Sequence, residues 1–177
     1  MRYPYVMLFA IALAALGSAV AITLVARPDP AHYLEAAASA EKPTVDEQSE
    51  ALPAPALGDT RTFAGIEFVW IESGAFLMGA SMAPADVFDR YGGDLRWYEN
   101  EIPRHTVTLT KGFWLGKYEV TQAQWKRSME DNPSDQVGDD LPVESISWND
   151  TQAFIARLNE AGDGVFRLPT EAEWEFA

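Results

Sequence analysis

Cysteine is absent from all 177 residues, so no disulfide, thiolate nucleophile or thiolate metal site can be built from them. Histidine is almost as scarce: His32 and His105 are the two present, too few for a histidine-rich metal centre. Positive charge is also short, with 13 Lys and Arg against 27 Asp and Glu and a formal net charge of −14. That balance disfavours nucleic acid and anionic lipid as electrostatic partners and favours a soluble acidic surface. Tryptophan is missing from the first 69 residues, while Trp70, Trp97, Trp114, Trp125, Trp148 and Trp174 follow. The large aromatic payload needed for a core is therefore confined to the later part of the chain.

The amino-terminal part divides in two. Val6 to Ala26 is an uncharged run of 21 residues rich in Ala, Leu, Ile and Val. As a helix rising about 1.5 Å per residue it matches the roughly 30 Å hydrocarbon core of a bilayer. The reading is a signal anchor over 1–27, membrane-spanning, with the rest on the extracytoplasmic (periplasmic or cell-surface) side. Ala19-Val20-Ala21 fits a cleavage site, and cleavage would give a secreted protein. Arg2 precedes the run, and beyond Arg27 the chain turns acidic, which favours the amino terminus inside. Residues 28–60 read as a linker: five prolines, many alanines and seven acids against Lys42 bury too little apolar surface to offset ordering entropy.

From Arg61 the texture becomes that of a folded domain, taken as 61–177. Ile66, Phe68 and Trp70 alternate as in a strand, Ser73-Gly74 marks a turn, and Ala75–Met78 returns as a second strand. Ser81–Glu101 reads as a long irregular loop. His105–Thr110 alternates with Val107 and Leu109 inward, and Phe113–Val120 reads as a further strand. Three capping boxes predict helix starts: Thr121 with Gln124, Ser147 with Asp150, and Thr170 with Glu173. The second is the weakest, because Asp is a short partner. Its helix places Trp148, Thr151, Ile155 and Leu158 on one face and ends near Gly162, suited to a left-handed residue after a helix. The third helix runs for under two turns before Ala177, so the domain is expected to be cut within an element.

These blocks together resemble the formylglycine-generating-enzyme, or sulfatase-modifying factor, family. Gly74-Ala75-Phe76-Leu77-Met78-Gly79 resembles its G-x-F-x-M-G opening, and Glu101 to Val107 its E-x-P-x-H-x-V segment. Lys117 to Gln124 resembles the Y-E-V-T block, and Leu141-Pro142-Val143 with Ile146-Ser147-Trp148 resembles P-V-x-x-V-S-W. Arg167-Leu168-Pro169-Thr170-Glu171-Ala172-Glu173-Trp174-Glu175 is similar to the signature R-L-P-T-E-A-E-W-E. The resemblance covers about Thr62 to Ala177, roughly the first half of the family's domain. It implies an α+β fold, the irregular C-type-lectin-like fold of the formylglycine-generating-enzyme type, incomplete at its C-terminus; the one transmembrane helix read above from the apolar run precedes it. It also implies oxidation of a substrate cysteine to formylglycine, with a copper(I)-binding cysteine pair and calcium sites in the full-length domain. Those positions lie past the signature block, so no catalytic, cofactor-binding or metal-binding residue is assigned within this chain.

Local candidates have structural readings. His105 beside Glu101 could form an acid–base pair, but a strand-edge histidine in a hydrogen bond accounts for it. Glu171, Glu173 and Glu175 suit helix-start dipole compensation, and Arg167 is placed to pair with one of them. The acidic stretch Glu130–Asp135 fails the calcium-loop pattern because Pro133 stands where a ligand is needed. Asn149-Asp150-Thr151 has the form of a glycosylation sequon at a helix start and is set aside. Three functions follow: an extracytoplasmic protein-modifying oxidase acting on a protein or peptide substrate; a non-catalytic lectin-like module binding a protein or glycan at the cell envelope; and a sulfoxide synthase, which would need an additional helical metal domain.

Overall fold

In the computed structural model the described residues are 22–27 and 54–177. Their strands are β1 Val25–Arg27, β2 Thr60–Phe63, β3 Ile66–Ile71, β4 Gly74–Met78, β5 His105–Leu109, β6 Phe113–Gly116 and β7 Val165–Arg167. The helices are α1 Pro84–Tyr91, α2 Leu95–Glu99, α3 Gln122–Trp125, α4 Trp148–Glu160 and α5 Glu171–Phe176. Five strands form one antiparallel sheet in the order β2-β3-β6-β1-β7, and β4 pairs with β5 in a second. Helices and strands mix along the chain, an α+β arrangement as expected.

The main core lies on one face of the five-stranded sheet. Phe68, Trp114 and Phe166 from the strands meet Trp125 of α3 and Phe154, Ile155 and Leu158 of α4. Trp125 stacks on Phe154 with ring centroids 5.0 Å apart, and Trp70 leans on Trp114 at 5.2 Å. On the opposite face Val25, Phe113 and Leu115 form a smaller cluster that receives Phe176. β6 is buried along its whole length, because a strand with neighbours on both sides and cover on both faces presents nothing to water.

All three capping boxes close with both reciprocal bonds. The Ser147 box is not weakened by its Asp: Asp150 Oδ2 accepts from the Ser147 N–H at 2.9 Å and from its hydroxyl at 2.6 Å. Both bonds favour the ionised carboxylate, and the Asp150 pKa falls. α4 buries Thr151, Phe154, Ile155 and Leu158 and ends before Gly162, whose φ is 77°.

Several expectations are corrected. Trp148 is not on the buried face of α4; at the first helical position it is 68% exposed, and Phe154 fills the inward row. Ser81–Glu101 is not an irregular loop but holds two helices. Pro84 supplies a preset φ at the start of α1, Gly92 closes it at φ 73°, and Asp94 caps α2 by accepting from the Arg96 N–H. β4 does not return on β3; it leaves to pair with β5, where Phe76 meets Phe176 of α5 at 5.3 Å. The strand expected over Phe113–Val120 stops at Gly116, after which Lys117, Tyr118 and Glu119 are exposed.

Two boundaries also move. Residues 54–60 belong to the domain rather than the linker: Gly58 N–H donates to Trp70 O, and Trp70 N–H donates to Asp59 O. The expected anchor lies largely outside the described residues, as do linker residues 28–53. The anchor's last residues, 22–26, are not helical, and Val25–Arg27 forms the strand between β6 and β7. Among the described residues no helix is long and apolar enough to cross a membrane.

Candidate functional site

An open cleft of about 460 Å³ lies where the β2–β3 hairpin faces the segment linking β6 to α3. The hairpin turns through Ala64 and Gly65, both with positive φ (50° and 72°), the two-residue turn that matches strand twist. One wall is Thr62, Gly65, Ile66 and Glu67; the floor is Tyr118, Glu119, Thr121 and Gln124; Asp140 and Pro142 close the far side.

Gln124 joins two of these parts. Its Oε1 accepts from the Thr121 N–H at 2.9 Å to complete the cap, and its Nε2 donates to Gly65 O at 3.2 Å across the cleft. The far wall is held by a bridge between Thr121 and Pro142 and by Gln122 N–H donating to Leu141 O at 2.8 Å. Behind it lies the Gln122 side chain, fully buried. Its Nε2 donates to Gln136 O (2.8 Å) and Pro142 O (3.1 Å), while its Oε1 accepts from Asn132 Nδ2 (2.8 Å) and Gly138 N–H (3.0 Å). All four bonding positions of the amide are satisfied, so the 131–143 loop is tied to α3 through one side chain.

The lining carboxylates are Glu67, Glu119 and Asp140, and two cations stand at the margin, Lys117 and the Arg127 guanidinium, which lies against Gly65. Lys117 Nζ donates to Glu67 Oε1 at 2.7 Å and stands 5.3 Å from the Tyr118 ring centroid, and the hydrogen bond to Glu67 raises its pKa. Among the described residues Glu119 and Asp140 have no basic partner. Tyr118 is 65% exposed, its ring lying between Lys117 and water, beside two carboxylates without a basic partner among the described residues. Such a surface offers acceptors and a π-face to a ligand rich in N–H donors or positive charge.

The candidates named from the sequence fall elsewhere. His105 does not meet Glu101; its Nδ1 bonds Pro103 O at 2.9 Å at the exposed start of β5. Arg167 grips Glu173 with two 2.6 Å bonds, and Glu173 Oε2 also accepts from the Thr170 N–H at 2.8 Å. The guanidinium bonds, more than the cap, pull the Glu173 pKa down to about 2. Glu175 Oε1 accepts from the Gly79 N–H at 2.9 Å, pinning α5 to the end of β4. Glu101 lies near this junction, and burial, with Glu171 and Glu175 nearby, raises its pKa. In the 130–135 stretch Asp131 O accepts from Trp125 Nε1 at 2.9 Å, so this loop braces the core.

The copper site implied by the resemblance does not fit the residues present, because the chain offers no thiol. Among the described residues there is no group of three or more His, Asp or Glu side chains placed to hold a metal ion. The sequence reasoning missed the cleft and the buried Gln122. A signal existed for the latter: Gln122 and Trp125 are three apart in α3, on the face where Trp125 is buried.

Residues 54–177 match the family model described as a sulfatase-modifying factor enzyme 1-like domain. A protein of Paenibacillus barcinonensis named "Chaperone protein LppX" is 32% identical over 120 residues, taking in 49% of this chain and 42% of that relative. The chain thus spans less than half the length of the curated relative it matches. No solved structure matches significantly.

Proposed function

The chain belongs to the sulfatase-modifying factor enzyme 1-like family, and from that membership we propose that its domain is a recognition module that binds extended, basic polypeptide at the Tyr118 cleft. The carrying observation is the exposed Tyr118 ring flanked by Glu119 and Asp140, which have no basic partner among the described residues. Lys117, held between Glu67 and the Tyr118 ring, illustrates with a side chain of the protein itself how this surface accommodates an ammonium group. The cited relative's name, a chaperone, agrees with a polypeptide client. The apolar run at 6–26 supports a membrane-tethered, extracytoplasmic placement.

The test is fluorescence anisotropy with a labelled short Lys–Thr peptide and a Glu–Thr control. The wild-type protein binds the first and not the second. Tyr118→Ala and the double change Glu119→Gln with Asp140→Asn each weaken binding at least tenfold, whereas neutralising Asp86 and Asp89 on α1 does not. Equal binding by the cleft variants and the α1 variant would reduce the effect to net charge and refute the assignment.

Family membership also favours a second reading, a protein-modifying oxidase that converts a substrate cysteine to formylglycine. It requires a thiol pair from outside these 177 residues, since the chain has none. Oxygen consumption by a copper-loaded longer polypeptide with a thiol peptide tests it. No turnover across thiol peptides would count against it.

A further inference from the structure

Ile22, Leu24, Val25 and Ala26 are each at most 2% exposed. β1 lies between β6 and β7, with Val25 opposite Leu115 and Arg167, and Ala26 opposite Trp114 and Phe166. The fit extends beyond the strand. Gly116 N–H donates to Leu24 O at 2.7 Å, and Val120 N–H donates to Ile22 O at 2.8 Å. A side-chain carbon at Gly116 would sit 3.3 Å from Leu24 N, so β6 has a glycine where this segment comes closest. Alternate residues serve opposite faces: Ile22, Leu24 and Ala26 join the main core, and Val25 joins the smaller cluster.

The same residues end the uncharged run that reads as a membrane span. As one helix, the 21 residues 6–26 reach about 31 Å; with 22–26 in the sheet, the 16 residues 6–21 reach about 24 Å, short of the roughly 30 Å hydrocarbon core. Full spanning and sheet insertion exclude each other. Resting on the tether reading above, we propose that Ile22–Arg27 is a shared segment for which the bilayer and the domain compete. In the fully spanning form β1 leaves its slot between β6 and β7, whose facing backbone groups lose these ladder partners. In the closed form the strand fills the slot and the span is too short to anchor the protein stably.

The absence of native cysteine allows a direct test on the full chain. Arg27 and Val165 are directly opposed across β1 and β7, and both are exposed. Opposed residues of antiparallel strands have Cα atoms about 4.5–5.5 Å apart, within disulfide range. The double variant Arg27→Cys with Val165→Cys is expressed, cells are fractionated, and carbonate-resistant membranes and the soluble fraction are treated with diamide. An intramolecular disulfide, closing most of the chain into a loop, is read as a faster band on a non-reducing gel. The expected result is a crosslinked fraction at least tenfold higher in the soluble pool than in the membrane pool. Equal crosslinking in both pools overturns the competition, and no crosslink in either removes β1 from the sheet. A chain found in the soluble pool alone would sink the tether reading and with it the competition, while a crosslink there would still place β1 in the slot.

Discussion

Replacing Gln122 with Leu removes one buried amide and leaves the backbone fold otherwise intact. Four bonds go with it, to Gln136 O, Pro142 O, Asn132 Nδ2 and Gly138 N–H. Gln136 is an exposed residue and its carbonyl can be rehydrated; Pro142, Gly138 and Asn132 are half-buried and recover less. A buried polar group left without a partner costs about 1–3 kcal/mol, so the three half-buried groups together lose about 3–9 kcal/mol before water returns part of it, and burying leucine returns about 1.5–3 kcal/mol. The net loss is about 2–4 kcal/mol. Urea unfolding followed by tryptophan emission reads it, Trp125 being 1% exposed when folded; the midpoint should fall with the slope unchanged. Gln122→Glu should cost more at neutral pH than at pH 4, because a carboxylate would face the two carbonyl oxygens until protonated. Both variants should also weaken ligand binding at the cleft, since the 131–143 loop carries Asp140 and Pro142. A Gln122→Leu loss below about 1 kcal/mol would mean that water, not this amide, satisfies the loop.

Three further outcomes are expected. Glu173→Gln should lower stability by about 1–2 kcal/mol at neutral pH, the value reduced for solvent around Arg167. The Glu173 pKa falls from 4.5 to about 2 on folding, so this contribution is complete above the unfolded value and lost as pH drops through about 2; urea midpoints of the two proteins should converge there. Glu101→Gln has the opposite sign: folding raises this carboxyl's pKa, which penalises the charged form, so the variant should be more stable at neutral pH by up to about 1 kcal/mol and match the wild type under acid, as thermal melts across pH would record. Gly112→Ala should cost about 1–3 kcal/mol by urea unfolding, because its added carbon would overlap the Trp70 ring and lie 2.8 Å from Ile71 O.

What could be read along the chain was what local chemistry decides. The capping boxes at Thr121, Ser147 and Thr170 were legible because each is closed by residues three apart, and β5 because Val107 and Leu109 alternate. α1 escaped although Pro84, Val87, Phe88 and Tyr91 fall at helical spacing, because an eight-residue element that buries no residue carries too short a row to stand out; Pro84 and Gly92-Gly93 mark its ends. The cleft had no local signature at all. Its walls come from residues 62–67, 118–124 and 140–142, brought together by the Gln124–Gly65 bond and the Thr121–Pro142 bridge. The stretch at 22–26 carries two readings for a different reason: an uncharged, mostly apolar run has neither the helical nor the strand period, and only its neighbours decide.

Those neighbours also decide which side wins the segment. Ile22, Leu24 and Val25 find apolar surroundings in either place, so side-chain transfer largely cancels between sheet and bilayer. Backbone bonding cancels too, being met within a helix in lipid and by β6, β7 and the 116–120 segment in the domain. What does not cancel is the domain itself. With the slot open, Phe68, Trp114 and Phe166 lose cover, and β7 keeps the α4 contacts made by Asn159, whose side chain bonds Phe166 N–H at 2.6 Å and Phe166 O at 3.1 Å. On the tether proposal, no slot exists before the domain folds, and the bilayer is then the apolar sink for residues 22–26. After folding, the exposed core favours the strand's return. The partition should therefore follow the domain's stability, and a change distant from the segment, such as Gln122→Leu, should move the chain toward the membrane by weakening the fold that reclaims it.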